Sequence, residues 1–203
     1  MEHLNPAELV LAKDAQDLLF LDPRTVTAFQ DAPVSDAQLR AIHDLVKYGP
    51  TSMNQQPLRA VLVQSSTARG RLVEHMLDSN KAKTLAAPLS VIIAADLNFH
   101  LRLSELFPVL PGAEEFFADP EMRTASATMN AHIQLGYFIV GVRAAGLAAA
   151  PMTGFDHQAL NADFFPDGEL QAVAVVNVGE PAQNSPGFAR LPRLQYEDVF
   201  TSV

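Results

Sequence analysis

A long segment without a strong helix breaker, between Asp119 and Gly146, most constrains how this chain can fold. Asp119 is a suitable N-cap and Pro120 suits the first helical position, so the pattern predicts a helix of about 26 residues, roughly 39 Å long. Its second half, 131–145, is apolar on nearly every side. A chain of 203 residues can barely cover such a rod. We therefore predict that this helix is central and contacts a second copy of the chain.

Three polar residues interrupt that apolar stretch: His132, Gln134 and Arg143. We interpret His132 as a core histidine with its hydrogen bonds satisfied. The six histidines lack the spacing of metal ligands, so no metal site is predicted. The absence of cysteine excludes disulfides, thiolate nucleophiles and cysteine-bound clusters, so redox chemistry would need a cofactor.

The rest of the chain alternates shorter helical and strand patterns. Ser35 and Gln38 form a capping box before the second helix. The first helix begins at Asn5-Pro6, an N-cap followed by proline. Predicted helices are 6–20, 36–48 and 67–77, and predicted strands are 61–63, 89–95 and 170–179. Together they indicate a single domain, 1–203, of the α+β class, with a mixed central sheet covered by helices.

The charge balance excludes two classes of partner. Fourteen Lys and Arg against 23 Asp and Glu give a net charge of -9, whereas nucleic acids and anionic membranes attract cationic surfaces. No apolar run reaches the ~18 residues of a membrane span. The N-terminal sequence lacks the features of a signal peptide, so we expect a cytoplasmic protein.

The loop 49–57 carries the first chemical signal. Common motifs for nucleotide binding, hydrolysis and zinc proteolysis are not found in the sequence. The loop combines small hydroxyls, amides and prolines, which suit a polar heteroaromatic ligand held by neutral hydrogen bonds. Taken alone, an ordinary turn is the simpler interpretation.

The loop nevertheless resembles the signature P-[ST]-S-x-N-x-Q-P of the FMN-dependent nitroreductase family. Further segments resemble family elements in the expected order: Asp22 to Phe29, Asn80 to Lys83, Pro151 to Asp156 and Ala189 to Leu194. The resemblance covers about residues 20–199. It implies a nitroreductase-like fold, an FMN cofactor, and a homodimer whose interface includes the long helix.

The resemblance also implies a set of site residues. Lys83 is implied as the catalytic residue, beside the flavin pyrimidine ring, where a cation stabilises negative charge. Arg24, Arg190 and Arg193 are implied to grip the phosphate, because Thr27 stands where many relatives carry a second arginine. The complete implied cofactor-binding set is Arg24, Thr25, Thr27, Pro50, Thr51, Ser52, Asn54, Gln56, Asn80, Lys83, Pro151, Met152, Thr153, Gly154, Arg190 and Arg193. We expect some contacts, among them Ser52, Asn54 or 151–154, to come from the partner subunit.

The family's chemistry implies that NADPH or NADH gives hydride to the flavin, which passes it to a small-molecule substrate. Four stretches, 48–52, 83–88, 151–156 and 189–194, are similar to family members that reduce malonic semialdehyde to 3-hydroxypropanoate. Segment 97–117 varies most among relatives, and Arg102 in it is a candidate for binding the substrate carboxylate. Three alternatives stay open: a general nitroaromatic or quinone reductase, a non-catalytic flavin-binding protein, and a helical dimer without cofactor.

Overall fold

The computed structural model describes residues 9–183 and 189–203. The helices α1 to α8 are Lys13–Gln16, Asp36–Val46, Ser66–His75, Asp78–Ala86, Leu103–Leu106, Pro120–Ala144, His157–Phe164 and Tyr196–Val199. The strands β1 to β4 are Leu58–Val63, Leu89–Asp96, Ala148–Met152 and Leu170–Gly179. Short 3-10 turns cover Ser52–Asn54, Phe99–Arg102 and Ala113–Phe117, and a π-helical turn covers Asp17–Leu21. Within the described residues, every helix is too short or too polar to span a lipid bilayer.

The four strands form one sheet in the order β1-β2-β4-β3. The three pairings within the described residues are antiparallel, so the mixed pairing expected for the sheet is not seen among them. The α+β class and the nitroreductase-like fold are confirmed. Strand β3 was not predicted, because its sequence AAAPM lacks β-branched and aromatic residues. Pro151 is compatible with a strand there because β3 lies at the sheet edge.

Helices α6 and α2 cover one face of the sheet. Val91 and Ile93 of β2 and Val176 and Val178 of β4 are fully buried on this side. The two helices approach closely at Gly141, where a Cβ atom would lie only 2.5 Å from Val46 Cγ1. A glycine is therefore needed for α6 to lie this close to α2.

Helices α3, α4 and α7 lie on the opposite face of the sheet. Leu72 of α3, Ile92 of β2, Leu160 of α7 and Val175 of β4 are fully buried in this second core. The sheet is therefore enclosed between two layers of helices, which explains why β2 and β4 read as continuous apolar runs.

The structure confirms the strongest local patterns. Helix α6 spans 25 residues, and the Asp119 side chain accepts a hydrogen bond from Met122 N at 2.7 Å. Helix α2 has the capping box of Ser35 and Gln38 but ends at Val46, two residues before the predicted end. The predicted start of the first helix at Asn5-Pro6 lies outside the described residues. The rest of that prediction corresponds to α1 and the following π-helical turn.

The interpretation of His132 as a core residue is wrong for this chain. His132 is exposed, and its Nδ1 lies 2.7 Å from Thr128 O one turn earlier. Ile133 beside it is 42% exposed, and Gly136 is exposed as well. The described part of the chain does not cover this side of α6. The sequence pattern therefore predicted an apolar helix but not which of its sides is buried.

Helices α3 and α7 are joined by an ion pair. Asp163 of α7 accepts a hydrogen bond from Arg71 Nη2 at 2.5 Å, and His75 Nε2 lies 2.9 Å from its other carboxylate oxygen. These two hydrogen bonds, that of Arg71 above all, hold the pKa of Asp163 below its usual 3.8. A carboxylate with a lowered folded-state pKa stabilises the fold above the unfolded pKa, and the contribution is lost as pH falls through the folded-state value.

Replacing Asp163 by Asn is therefore expected to lower the free energy of unfolding at neutral pH. The wild-type advantage over D163N should shrink as pH falls below about 4. Urea unfolding of both proteins between pH 7 and pH 3 measures this difference. Asp31→Asn, which removes an exposed carboxylate, is the control. Equal urea midpoints for wild type and D163N at pH 7 would show that the pair contributes no stability.

Candidate functional site

Three arginines predicted to bind a phosphate line one cavity of about 210 Å³. Arg24 comes from the segment after α1, whereas Arg190 and Arg193 come from the C-terminal segment. A fourth arginine, Arg143, enters from the last turn of α6. The remaining lining residues are Pro23, Thr25, Ala189 and Leu191, so among the described residues no carboxylate lines the cavity. In a chain with a net charge of -9, this concentration of positive charge favours an anionic ligand.

Local hydrogen bonds orient two of these arginines. Arg24 Nη1 donates to the carbonyl oxygens of Leu21, Asp22 and Pro23 at 2.8–3.1 Å. Arg193 Nη1 donates to the carbonyl oxygens of Leu191 and Pro192, each at 3.0 Å. A guanidinium has five N–H donors, so each group keeps further donors for a ligand. Thr25 lines the cavity, whereas Thr27, also predicted to contact the cofactor, is exposed and does not line it.

The loop 49–57 has an unusual backbone. Met53, Asn54 and Gln56 adopt left-handed φ angles of 48°, 51° and 46°. Such angles are uncommon for residues other than glycine and require support from surrounding structure. Pro50, Thr51, Ser52, Asn54 and Gln56 are all exposed or half-buried, so their polar groups are accessible.

That support comes from α6. Asn130 Oδ1 accepts a hydrogen bond from Ser52 N at 2.8 Å, and Asn130 Nδ2 donates to Gln55 Oε1 at 3.2 Å. Ser126 Oγ donates to the same Gln55 oxygen at 3.0 Å. Asn130 and Gln55 are both buried. The sequence interpretation missed them, because neither the burial of these two amides nor their partners can be read from neighbouring residues.

Helix α4 and the residue before it contact the segment 151–154. Asn80 Nδ2 donates to Gly154 O at 2.9 Å, and Leu77 N donates to the same oxygen at 3.0 Å. A Cβ atom at Gly154 would lie 2.7 Å from Asn80 Nδ2, so a larger residue here would displace the Asn80 side chain. Lys83 lies three residues after Asn80 and therefore on the same side of α4. The structure thus brings two predicted elements together, with Pro151 and Thr153 exposed beside them.

A buried polar network lies behind these two elements. Ser90 Oγ donates to Asn177 Oδ1 at 2.7 Å, and Asn177 Nδ2 donates to Thr84 Oγ1 at 3.3 Å. Thr84 Oγ1 also lies 3.9 Å from Met152 Sδ. Ser90, Asn177 and Thr84 are completely buried. The network therefore connects α4 to the sheet and to the predicted cofactor residue Met152.

The loop 49–57 does not meet the arginine cavity within one chain. Ser52 is hydrogen-bonded to Asn130, whereas the cavity includes Arg143, which lies thirteen residues further along α6. That spacing is about 20 Å at the usual helical rise. The predicted site residues therefore fall into separate groups along α6.

Segment 97–117 is anchored to the loop and to α6. Asn54 Nδ2 donates to Leu106 O at 2.8 Å, and Arg123 Nη1 donates to Phe117 O at 3.1 Å.

Two basic side chains of this segment, His100 and Arg102, differ in their surroundings. Burial of His100 and, to a smaller extent, the nearby charge of Arg123 lower the pKa of His100 below its usual 6.5. Arg102, the candidate for a substrate carboxylate, is exposed and pairs with Glu105 at 3.1 Å.

A family model described as "Nitroreductase family" matches residues 23–180, well over half of the chain. The matched region includes helices α2 to α7 and strands β1 to β4. The chain belongs to the nitroreductase family. The chain is accordingly an oxidoreductase that uses FMN with NAD(P)H, as members of this family do.

Individual relatives agree with the membership in this family. A protein of Streptomyces coelicolor, provisionally named an NADH dehydrogenase/NAD(P)H nitroreductase, is 53% identical over 196 residues. The match covers 96% of this chain and 99% of that protein.

Two solved structures show the same fold. One, from Bacillus subtilis and provisionally described as a nitroreductase, has a TM-score of 0.81 at 17% identity, covering 91% of this chain and 97% of the other. The second, from Exiguobacterium sibiricum, is provisionally described as a nitroreductase in complex with FMN. It has a TM-score of 0.81 at 15% identity, covering 95% and 98% of the two chains. At these identities the likeness concerns the fold alone.

The residues present suit the cofactor of the nitroreductase family. A phosphate monoester carries between one and two negative charges, and forked guanidinium groups match its oxygens. The arginine cavity supplies such donors, and none of its lining residues in 9–183 and 189–203 is a carboxylate. The donor set therefore fits the phosphate end of FMN.

Proposed function

We propose that this nitroreductase-family chain is a homodimeric enzyme that reduces malonic semialdehyde to 3-hydroxypropanoate. In this proposal Arg24, Arg190 and Arg193 bind the FMN phosphate. The observation that carries the cofactor assignment is their convergence, from distant parts of the sequence, on one cavity. Bonds between a guanidinium and a phosphate are stronger than those between neutral groups, so this cavity would contribute much of the affinity for FMN.

Helix α4 and segment 151–154 are proposed to hold the ring of the cofactor. FMN, when bound, supplies a ring that accepts hydride from NAD(P)H and passes it to the substrate. Lys83 provides a cation beside that position, where it stabilises negative charge. Asn80 keeps α4 next to Gly154, where a Cβ atom would lie 2.7 Å from Asn80 Nδ2 and displace it. The side chains of this protein therefore bind and orient the cofactor and stabilise negative charge on it. In this proposal no side chain acts as a nucleophile.

The homodimer is supported by two exposed apolar surfaces. On α6, Met122, Met129 and Ile133 are 51%, 60% and 42% exposed. Every residue of segment 189–203 is exposed, and its large apolar side chains are Leu191, Leu194, Tyr196, Val199, Phe200 and Val203. Such surfaces are normally covered by a partner. Within one chain, loop 49–57 and the arginine cavity lie about 20 Å apart along α6. In a homodimer, loop 49–57 of the partner subunit could complete the FMN site that the arginines of one chain begin.

Sedimentation equilibrium tests this assembly. The wild-type protein is expected at twice the chain mass of 22.0 kDa. The double variant Leu194→Asp/Phe200→Asp is expected to dissociate, because it places two charges in the apolar segment. A wild-type mass of 22.0 kDa at micromolar concentration would contradict the homodimer.

Two substrate classes are distinguished by experiment. The stretches 48–52, 83–88, 151–156 and 189–194 favour malonic semialdehyde, whereas the provisional names of the relatives favour a nitroaromatic compound. Arg102 is a weaker candidate for the carboxylate than the sequence suggested, because Glu105 already pairs with it. The aldehyde assignment therefore depends on the sequence stretches.

Anaerobic stopped-flow absorbance tests both classes. The protein is loaded with FMN, bleached with NADPH or NADH, and then mixed with malonic semialdehyde or with a nitroarene. Recovery of the flavin band at least ~10-fold faster with the aldehyde is the expected result. Recovery with the nitroarene only would replace malonic semialdehyde by the nitroaromatic class. Binding of FMN without bleaching by either nicotinamide would identify a non-catalytic flavin-binding protein.

A further inference from the structure

The fourth arginine of the cavity, Arg143, was not among the predicted site residues. It lies in the last turn of α6, is half-buried, and donates from Nη1 to Leu19 O at 3.0 Å. It lines the cavity together with Arg24, Arg190 and Arg193. These four side chains come from three separate parts of the sequence.

The position of Arg143 matters because α6 ends there. The carbonyl groups of a helix C-terminus carry a partial negative charge, which disfavours an anion nearby. A cation in the last turn offsets that charge. Arg143 therefore makes the end of α6 compatible with an anionic ligand in the neighbouring cavity.

The partial burial of Arg143 adds a second reason. Burial lowers the pKa of the Arg143 guanidinium, because a charged group loses hydration inside the protein. The hydrogen bond to Leu19 O satisfies one of its five donors, and a carbonyl oxygen supplies no full opposite charge. An anion in the cavity would supply that charge.

The N-terminal element gives a third reason. Arg24 is the one arginine that this element contributes to the cavity, and Thr27, further along the same element, does not line it. Arg143 adds a cation to the cavity from a different element of the fold, the last turn of α6.

We propose that Arg143 is a binding residue for the phosphate of FMN, with its guanidinium donating to a phosphate oxygen. This rests on the proposed function, in which the same cavity holds that phosphate. Riboflavin is the matched probe, since it has the same ring and ribityl chain as FMN but lacks the phosphate. A residue that binds the phosphate must affect the affinity for FMN far more than the affinity for riboflavin.

Titration of the purified apoprotein with each flavin, followed by flavin fluorescence, tests the assignment. Arg143→Gln is expected to weaken FMN binding about 10- to 100-fold, since a hydrogen bond to a charged group is lost. Riboflavin binding should change less than about 2-fold, because no contact to the ring is lost. Arg143→Lys, which keeps the charge but not the fork, should fall between wild type and Arg143→Gln. Arg40→Gln, an exposed arginine of α2 outside this cavity, should leave both affinities unchanged.

Equal weakening of FMN and riboflavin would overturn the assignment and leave Arg143 with a structural role at Leu19. Unchanged FMN affinity would overturn it as well. Arg143→Lys gives the same comparison should Arg143→Gln fail to fold. Parallel titrations of Arg24→Gln and Arg190→Gln identify which proposal fails. If these two variants bind FMN and riboflavin with the same ratio of affinities as the wild type, the phosphate lies outside the cavity. The proposed cofactor site then fails as well.

Discussion

Lys83→Met is expected to slow NAD(P)H oxidation by the FMN-loaded enzyme by about 10²–10³-fold, the usual effect of removing one preorganised electrostatic contact. Lys83 lies in the last turn of α4, on the same side as Asn80, which is bonded to Gly154. A methionine keeps the length and apolar stem of lysine but not its charge. The expected loss is therefore electrostatic. Stopped-flow bleaching of the flavin band measures the rate, and spectroelectrochemistry measures the midpoint potential, which should become more negative.

A matched control lies on the same helix. Lys81 pairs with Asp78 at 3.1 Å, and its ammonium group is directed to that exposed carboxylate. Lys81→Met should leave the rate and the potential nearly unchanged, because exposed ion pairs contribute little. Binding of FMN should be weakened less than 10-fold by either change, since the arginine cavity is intact. A Lys83→Met enzyme with wild-type rate and potential would remove Lys83 from the chemistry.

Phe99→Ala is expected to lower the free energy of unfolding by about 3–5 kcal/mol, the range for deleting a buried phenyl group. Phe99 is completely buried, and its ring meets that of Phe117 edge to face at 4.9 Å between centroids. It begins the 3-10 turn Phe99–Arg102 and Phe117 ends the turn Ala113–Phe117, so the pair closes segment 97–117 onto the sheet. For a domain of this size, the melting temperature Tm should fall by roughly 6–20 °C.

Phe116 provides the comparison for this variant. It is adjacent to Phe117 but 57% exposed, so Phe116→Ala should change the stability by less than about 1 kcal/mol. Urea unfolding followed by circular dichroism measures both variants. A Phe99→Ala protein as stable as Phe116→Ala would show that the aromatic pair does not hold segment 97–117.

The strength of local patterns decided how much of the fold could be predicted. The N-cap at Asp119, the proline after it and Gly146 define α6 to within about two residues, because capping and turn geometry depend on neighbouring residues. Strand β4 was equally clear, since its valines pack well on a pleated sheet. Helices α4 and α7 were not predicted as helices, because they are short and their residues show weak periodicity.

For the candidate site, motif order in the sequence was sufficient to identify the family, which the family model confirms. The residues predicted to bind FMN stay predictions, although the structure brings several of them together. Asn130 and Gln55 were missed because they act through contacts with residues distant in sequence: Ser52 and Asn130 are 78 residues apart. Such contacts leave no periodic signal.

The sequence by itself determined the α+β class, the long helix, the main strands, and the family to which the chain belongs. Only the tertiary structure decided that Arg143 joins Arg24 and Arg190 in one cavity and that His132 lies on a side of α6 that the described residues leave exposed. The physical reason is the range of the interactions. Capping, periodicity and turn chemistry act over a few residues, whereas a cavity or an exposed helix face depends on which distant segments pack together.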